Sequence, residues 1–586
     1  MVKDSHSPGK KALVLDSSLS GPLSLIAEFS LLKEHGIEKI YHIESESLQL
    51  SNNQVLFLIR PTIKATKMVR ALESTEVSKI SVYYAPKRSA VSERILEEEG
   101  VYGKLHIGEF FFDLVPMDKN IFSFEWNDSF KSLFIDNDIH GISDIAKGLI
   151  KLCSLAGYPV KIQGRGSCSK MVADVFQRLR KESERITPKK HRKSGVDSLI
   201  ILDRTVDLLT PLLTPLTYEA VLDHLFKIKN NFINFEANVL ADLNNRKFSL
   251  ENDPVFHEIK YKHLSTVSQS LNLIANNLKE GYGVSILLFH QEEYKTANGI
   301  NELHKFVSKL GNLQSQKTCL EVHIKIIEEI NKIFSSLEMK EIIENEQLAI
   351  MFNFDEKEFI ETMEEMIFTK APFCSTVKLL ALVSQTQNGL KKKHFDYLKD
   401  EIVNTYGFES LFSLLNYEKI GLIKQDDSSK NPFPAIKKNL DLTPENTVLE
   451  TPVDPSYVFS GIAPLSVRLI QQSIEDPKPS SSSIFTFRAN NSEEYLSKFS
   501  GTPFDFIENE TNHALDKAPS IITQISTVTL EKKTTIVCFL GGITRSEIAA
   551  LKLLESIEDQ NREFIIVTSD IINSESFLSQ FEKKFI

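Results

Sequence analysis

The sequence predicts an α/β plus α architecture: two parallel-sheet domains, the second discontinuous, with a large helical domain inserted into it. Three observations predict it. Over the first 120 or so residues, apolar runs of four to six residues alternate with helical patterns, as in a parallel sheet covered on both faces. The last hundred residues return to that style. Between them, apolar residues recur at alternating intervals of three and four, the period of a helix–helix seam.

In chain order, residues 11–15 (KALVL) read as the first strand and residues 23–35 as a helix stopped by Gly36. Strands are expected at 40–43, 55–59 and 79–84, with a helix over 63–72. A second α/β unit runs from about Ile142 to Leu225 and includes a strand at 198–202. Its remaining parts are expected at the C-terminus: a strand at 535–540, a helix from Ser546 and a strand at 563–568. Leu264, Val267, Leu271, Ile274 and Leu278 make one helical stripe, and Leu303, Phe306, Leu310 and Leu313 make another. Leu320, Ile324, Ile327, Ile330 and Phe334 continue it in shifted phase, so long helices paired as a hairpin are expected, with shorter helices from Pro372 to about Ile423. Residues 425–434 and 476–519 are polar and proline-punctuated and read as surface loops. The expected domains are 1–130 (first α/β), 131–250 with 465–586 (second α/β), 251–365 (helical hairpin) and 366–464 (further helices).

At 586 residues, with 41% hydrophobic and 25% charged residues, the chain has ample core material. No apolar run approaches the ~18 residues of a membrane span, and the N-terminus lacks the apolar stretch of a signal peptide, so a cytosolic chain is expected. Cys153, Cys168, Cys319, Cys374 and Cys538 are scattered without C-x-x-C spacing, which argues for buried thiols and against a disulfide framework or a zinc site. A formal charge of −11 disfavours nucleic acid as a general partner. The basic run at 189–193 (KKHRK) reads as a solvated loop, or as attraction to anionic lipid at about 1 kcal/mol per cation.

Catalytic signals are weak. Residues 164–170 (GRGSCSK) match neither phosphate-loop pattern and read as a turn entering a helix at Met171. Gly541-Gly542, between a strand and a helix, suits an anion site on a helix N-terminus, but a tight turn needing small residues explains it as well. His290, His304 and His323 form no metal or catalytic motif, and His323 is expected to be a partly buried packing residue. No G-x-S-x-G elbow is present, and Glu364-Glu365 sit on a charged helix surface. The chain is expected not to be an enzyme and to need no cofactor and no metal.

The most informative segment is residues 203–219, DRTVDLLTPLLTPLTYE, directly after the strand at 198–202. Pro211 and Pro215 forbid a regular helix, while Thr217 is a good N-cap for a helix from Tyr218, with Glu219 in its first turn. A strand, a charged corner, a stiff apolar crossing and a capped helix suit a place where domains meet. The pattern DR-x-x-DL-x-TPLL-x-x-LTYE resembles the signature of the SM (Sec/Munc) family of SNARE regulators. Residues 388–407, 456–468 and 539–551 resemble the endosomal and lysosomal branch of that family, the vacuolar protein sorting-associated protein 33 group. Arg545, where the family commonly has an aromatic, and Pro215 and Ala220 depart from the pattern.

The resemblance implies the SM-family arch. It also implies a SNARE-templating role in HOPS and CORVET tethering complexes, on the cytoplasmic face of late endosomes and lysosomes or vacuoles. Implied partners are R- and Qa-type SNARE helices and a solenoid subunit like vacuolar protein sorting-associated protein 16. On that analogy, Leu313, Gln314, Lys317, Glu321, Ile324 and Glu328 are the expected SNARE-facing residues, and Lys399, Phe408 and Leu411 the expected contact with the solenoid. The alternatives are an SM protein of the plasma membrane or Golgi, and a phosphate- or nucleotide-binding α/β enzyme.

Overall fold

A computed structural model describes residues 11–43, 54–73, 79–186, 195–235, 247–289, 297–352, 354–426, 430–474, 503–507, 533–557 and 562–582. The side chains of residues 70–73, 184, 186, 279–289 and 297–313 lie outside that description, as do the basic run at 189–193 and most of 476–519. Two compact units emerge: Met1–Trp126 with Lys229–Asn231, and Asn127–Ile228 with Phe232–Ile586.

In the first unit, β1 (Lys11–Leu15), β2 (Ile37–His42), β3 (Gln54–Ile59), β4 (Lys79–Tyr84) and β5 (Leu105–Glu109) form one parallel sheet in the order β2-β1-β3-β4-β5. Val14, Phe57 and Val82 from its centre are fully buried, as strands covered on both faces require. The helix expected at 23–35 is instead two short ones, α1 (Ser17–Ser24) and α2 (Phe29–Glu34). The start is set by Asp16, whose carboxylate accepts from Ser18 N–H at 3.0 Å, and the chain is extended at Glu28, where ψ is 153°. Helices α3 (Ile63–Glu73) and α4 (Ala90–Glu98) lie between β3 and β4 and between β4 and β5 along the chain.

The second unit contains α5 (His140–Ala156), β6 (Lys161–Arg165), α6 (Ser167–Ile186), β7 (Val196–Asp203) and α7 (Tyr218–Phe226). Then come α8 (Pro254–Ile259), α9 (Leu264–Phe289), α10 (Ala297–Phe334), α11 (Leu337–Gln347), α12 (Glu356–Phe368), α13 (Phe373–Thr386), α14 (Lys392–Tyr406), α15 (Glu409–Ile420), α16 (Phe433–Asn439) and α17 (Leu465–Ile474). The chain returns through β8 (Pro503–Ile507), β9 (Lys533–Leu540), α18 (Arg545–Ser556), β10 (Arg562–Thr568) and α19 (Ser574–Ser579). Within this unit the strand order is β8-β6-β7-β9-β10, parallel except for β8. Strand β8 corrects the expected loop over 476–519: the alternation Phe504, Phe506 pairs antiparallel with β6, and Pro503 takes the first position of an edge strand. The loop expected at 425–434 also shortens, because α16 begins at Phe433.

The signature segment is the hub of this unit. Asp203 ends β7 and receives Cys168 N–H at 3.0 Å, Ser169 N–H at 2.7 Å and the Ser169 hydroxyl at 2.5 Å, which caps α6. That cap starts α6 at Ser167 rather than at Met171, after Gly166 at φ +111°, where a Cβ would strike the Asp203 carboxylate. Arg204 donates to both oxygens of Glu547 at 2.8 Å and to the Asp207 carbonyl at 2.9 Å. Asp207 in turn receives Leu209 N–H, Thr210 N–H, the Thr210 hydroxyl and Ser466 N–H. Arg204, Asp207 and Glu547 are each no more than 1% exposed. Gly541 and Gly542 have φ of +90° and +106°, and a Cβ on Gly541 would sit 3.0 Å from the Arg204 side chain and 2.8 Å from Phe134.

Replacing Arg204 by Met leaves two buried carboxylates facing each other without a cation. We expect a loss of about 3–5 kcal/mol, read as a lower denaturation midpoint, with part of it recovered in Arg204→Met/Glu547→Gln.

Candidate functional site

The glycine turns were the best sequence candidates for anion binding, and the chain's own carboxylates fill both. Asp203 occupies the N-terminus of α6. Glu547 occupies that of α18, where it closes a capping box with Thr544 and also accepts from Arg204 and Ser466. Burial pushes the Asp203 carboxyl up to about 6, against the opposing pull of its Ser169 and Cys168 donors. Among the described residues, no group of His, Cys, Asp and Glu is arranged to hold a metal ion, and no helix is long and apolar enough to cross a membrane. Cys153, Cys168 and Cys538 are buried as expected, whereas Cys319 and Cys374 are half-buried.

The helical insertion offers surfaces instead. Helices α9 and α10 pair along Val267, Leu271, Ile274 and Leu278 on one side and Leu320, Val322, Ile326, Ile327 and Ile330 on the other. Ile324, placed with the core stripe by its spacing, departs from it and is 39% exposed; Val322 and Ile326 take the inward positions. The opposite face of α10 carries Gln314, Lys317, Glu321, Ile324 and Glu328, all exposed. Their intervals of three and four match the seam of a coiled coil, so a second helix has a continuous strip to lie on. The Leu313 side chain lies outside the described residues. Lys317 and Glu321 pair across one turn at 3.8 Å. On α9, Leu273 lies off the apolar stripe and is 57% exposed.

What fixes α10 is a buried polar bolt. Asp253 caps α8 by accepting Val255 and Phe256 N–H groups at 2.9 Å. Its other oxygen lies 3.0 Å from His323 Nε2, and His323 Nδ1 lies 2.7 Å from the Tyr218 hydroxyl. With the proton on Nε2 facing the carboxylate, Nδ1 accepts the tyrosine hydrogen. His323 is therefore fully buried rather than partly so, within rings of Tyr218, Phe248 and Phe256. Burial would raise the Asp253 carboxyl, but the hydrogen bonds it accepts from His323 and from the Phe256 N–H outweigh that and hold it below the usual carboxylate range. One bolt thus joins α7, α8 and α10. The Asp253-Pro254 pair, an N-cap before a proline at the first helical position, was its legible sequence signal.

The second set of residues lies around Gly407, which ends α14 at φ +96°. Phe408 is 66% exposed and meets Phe412 edge-on at 5.6 Å between centroids. Leu411 is half-buried, and Leu415, one turn on, is 47% exposed. Positions 408, 411, 412 and 415 share one helix face, a spacing that the sequence already contained. Lys399 stands apart in kind: it is half-buried and paired with Glu418, so its charge is already engaged.

Comparison with known proteins gives this geometry its context. The description of the Sec1 family matches residues 11–580. The chain belongs to the Sec1 family. Relatives in that family include vacuolar protein sorting-associated protein 33A of Rattus norvegicus, 32% identical with 98% of this chain and 94% of the relative covered. The vacuolar protein-sorting-associated protein 33 homolog of Arabidopsis thaliana is also 32% identical, with the same coverage. Among solved Sec1-like folds, the Unc18–syntaxin 1 complex from Monosiga brevicollis aligns at a TM-score of 0.64 and 15% identity, covering 99% of this chain and 96% of that one. The SM protein Vps45 in complex with the Qa SNARE Tlg2 aligns at 0.61 and 16%, covering 99% and 95%. Both agree with α/β sheets bearing a large inserted helical region.

His323→Phe keeps a ring in the cage but removes the partner of one Asp253 oxygen and of the Tyr218 hydroxyl, and we expect a loss of about 1–3 kcal/mol for each in chemical denaturation. A separate pH effect follows from His263, whose two nitrogens face the Ser265 and Ser460 hydroxyls at 2.8 and 2.9 Å. Burial lowers its pKa from 6.5 to about 4. Between those values the unfolded chain binds the extra proton, so stability present above pH 6.5 is lost as pH falls towards 4. Melting temperatures recorded from pH 7 to 5 should fall less steeply for His263→Gln than for the parent.

Proposed function

We propose that this chain is a non-enzymatic chaperone of SNARE assembly. In this reading it is a subunit of HOPS- and CORVET-type tethering complexes, acting from the cytoplasmic side at late endosomes and lysosomes or vacuoles. The observation that carries the proposal is the exposed strip Gln314, Lys317, Glu321, Ile324 and Glu328, set at coiled-coil spacing on a helix whose other face is packed and bolted. A rigid helix with an open heptad strip can hold foreign helices in register, so less ordering entropy remains to be overcome when they zipper. Membership of the Sec1 family and similarity to vacuolar protein sorting-associated protein 33A support the compartment. The Vps45 complex with Tlg2 supports Qa-type SNAREs as a partner class, and R-type SNAREs are the second helix to be aligned.

Within the same reading, Phe408, Leu411 and Leu415 dock a solenoid subunit like vacuolar protein sorting-associated protein 16, with Lys399 beside them. The exposed aromatic and leucine, close to a helix start, make an apolar anchor of the kind that dominates protein interfaces.

Surface-binding measurements with R- and Qa-SNARE motifs supplied together should give a joint complex on the purified chain. Ile324→Glu should weaken it about tenfold or more without lowering the melting temperature, because Ile324 contributes little to the core. Absence of association at high SNARE concentration would refute the templating role. Copurification of the solenoid subunit should be lost with Phe408→Ser/Leu415→Ser and kept with Ile324→Glu.

A further inference from the structure

Helices α12 and α14 enclose a groove distinct from both surfaces above. Its floor is apolar, with Ile367 and Leu398 buried beneath it. On α12 Phe368 is 89% exposed, and on the other wall Tyr397, opposite Glu364 one turn before that ring, is 41% exposed. Carboxylates line the rims: Glu361, Glu364 and Glu365 from α12 and Glu401 from α14, against a single lining cation, Lys370. Tyr397 and Glu401 lie on the flank of α14 away from Lys399, two residues from each. The Tyr397 hydroxyl donates to Glu364 at 2.9 Å, which ties the rims together without neutralising them. Glu361 has an exposed partner in Lys357 at 3.5 Å, and solvent makes such a pair weak.

We propose that this groove docks a basic amphipathic helix of a partner protein, with an apolar residue against Phe368 and Tyr397 and Lys or Arg side chains along the glutamate rims. Three observations select that occupant. The space, about 820 Å³, is an open trough between two helices rather than an enclosed cavity that would bury a small molecule, and it suits several side chains of a peptide. Both walls are helices whose backbone groups are already hydrogen-bonded, so an extended peptide would gain no main-chain pairing, whereas a helix arrives with its own backbone satisfied. Glu361, Glu364, Glu365 and Phe368 recur at helical intervals, which places successive carboxylates and then the ring one turn apart along the groove. Four carboxylates against one lysine set the sign of the ligand, and they also repel an acidic helix of the same shape.

The test uses the full chain and two fluorescent synthetic helices of Leu and Ala, one carrying Lys on its polar face and the other Glu. Anisotropy should rise with the Lys helix only. Affinity should fall about tenfold or more in Phe368→Ser and in Glu364→Gln/Glu365→Gln/Glu401→Gln. It should be unchanged in Glu97→Gln/Glu98→Gln/Glu99→Gln, which alters net charge equally on the first unit. Because Phe368, Glu364, Glu365 and Glu401 are all at least partly exposed, circular dichroism of these variants should match the parent. Equal binding of both helices, or an equal loss in the groove and control variants, would overturn the proposal. Neither peptide is a SNARE motif, so the outcome is independent of the templating role.

Discussion

The ion pair between Arg204 and Glu547 ties together parts of the chain that the helical insertion separates. Neither charge is tolerable alone in an interior of low dielectric, so each requires the other to arrive. Asp207 adds a second carboxylate to the guanidinium and spends its remaining capacity on Thr210 and on the start of α17. A second set repeats the device nearby, with Arg545 paired to Glu219 and Asp223 across α18 and α7. The ends of β7, α7, α17 and α18 are thereby fixed by charge rather than by apolar contact, which would tolerate sliding. A segment of such density invites a catalytic interpretation, yet its charges pair with one another within the fold.

Much of this was legible in the sequence, for reasons that differ by element. Parallel strands such as β3 and β9 announce themselves because burial on both faces demands an unbroken apolar run. The helical insertion was visible in the three-and-four rhythm of Val267, Leu271 and Ile274. Cap-determined boundaries were not: α1 and α6 begin where Asp16 and Asp203 accept backbone donors, and Asp203 is 34 or 35 residues from the groups it caps. Edge strand β8 was hidden by its polar surroundings. Arg545, read only as a departure from a family pattern, is a buried partner of Glu219. The exposed strip on α10, Ile324 included, came from the resemblance, whereas apolar spacing alone put Ile324 in the core stripe, where Val322 and Ile326 sit instead. Leu415 was not legible because its exposure depends on which face of α15 packs inward, and neighbouring Leu414 takes that inward place.

The two faces of α10 depend on one another. Its inner face holds a histidine with both nitrogens engaged, so neither rotation nor sliding of the helix is possible without breaking a buried hydrogen bond. A surface that presents a strip for foreign helices gains from that rigidity, since the strip keeps its register before any ligand arrives. Polar burial in the core thus serves precision at the surface.

Strand β9 lies between β7 and β10, yet residues 204–532 separate it from β7 along the chain. During synthesis the ribosome therefore holds an unfinished sheet for roughly half a minute while that stretch is made. The apolar flank of β7 must be shielded throughout, and a nascent chain halted anywhere before Lys533 leaves it permanently uncovered. Premature stop codons late in the message should for this reason yield material destined for degradation rather than a shortened, working protein.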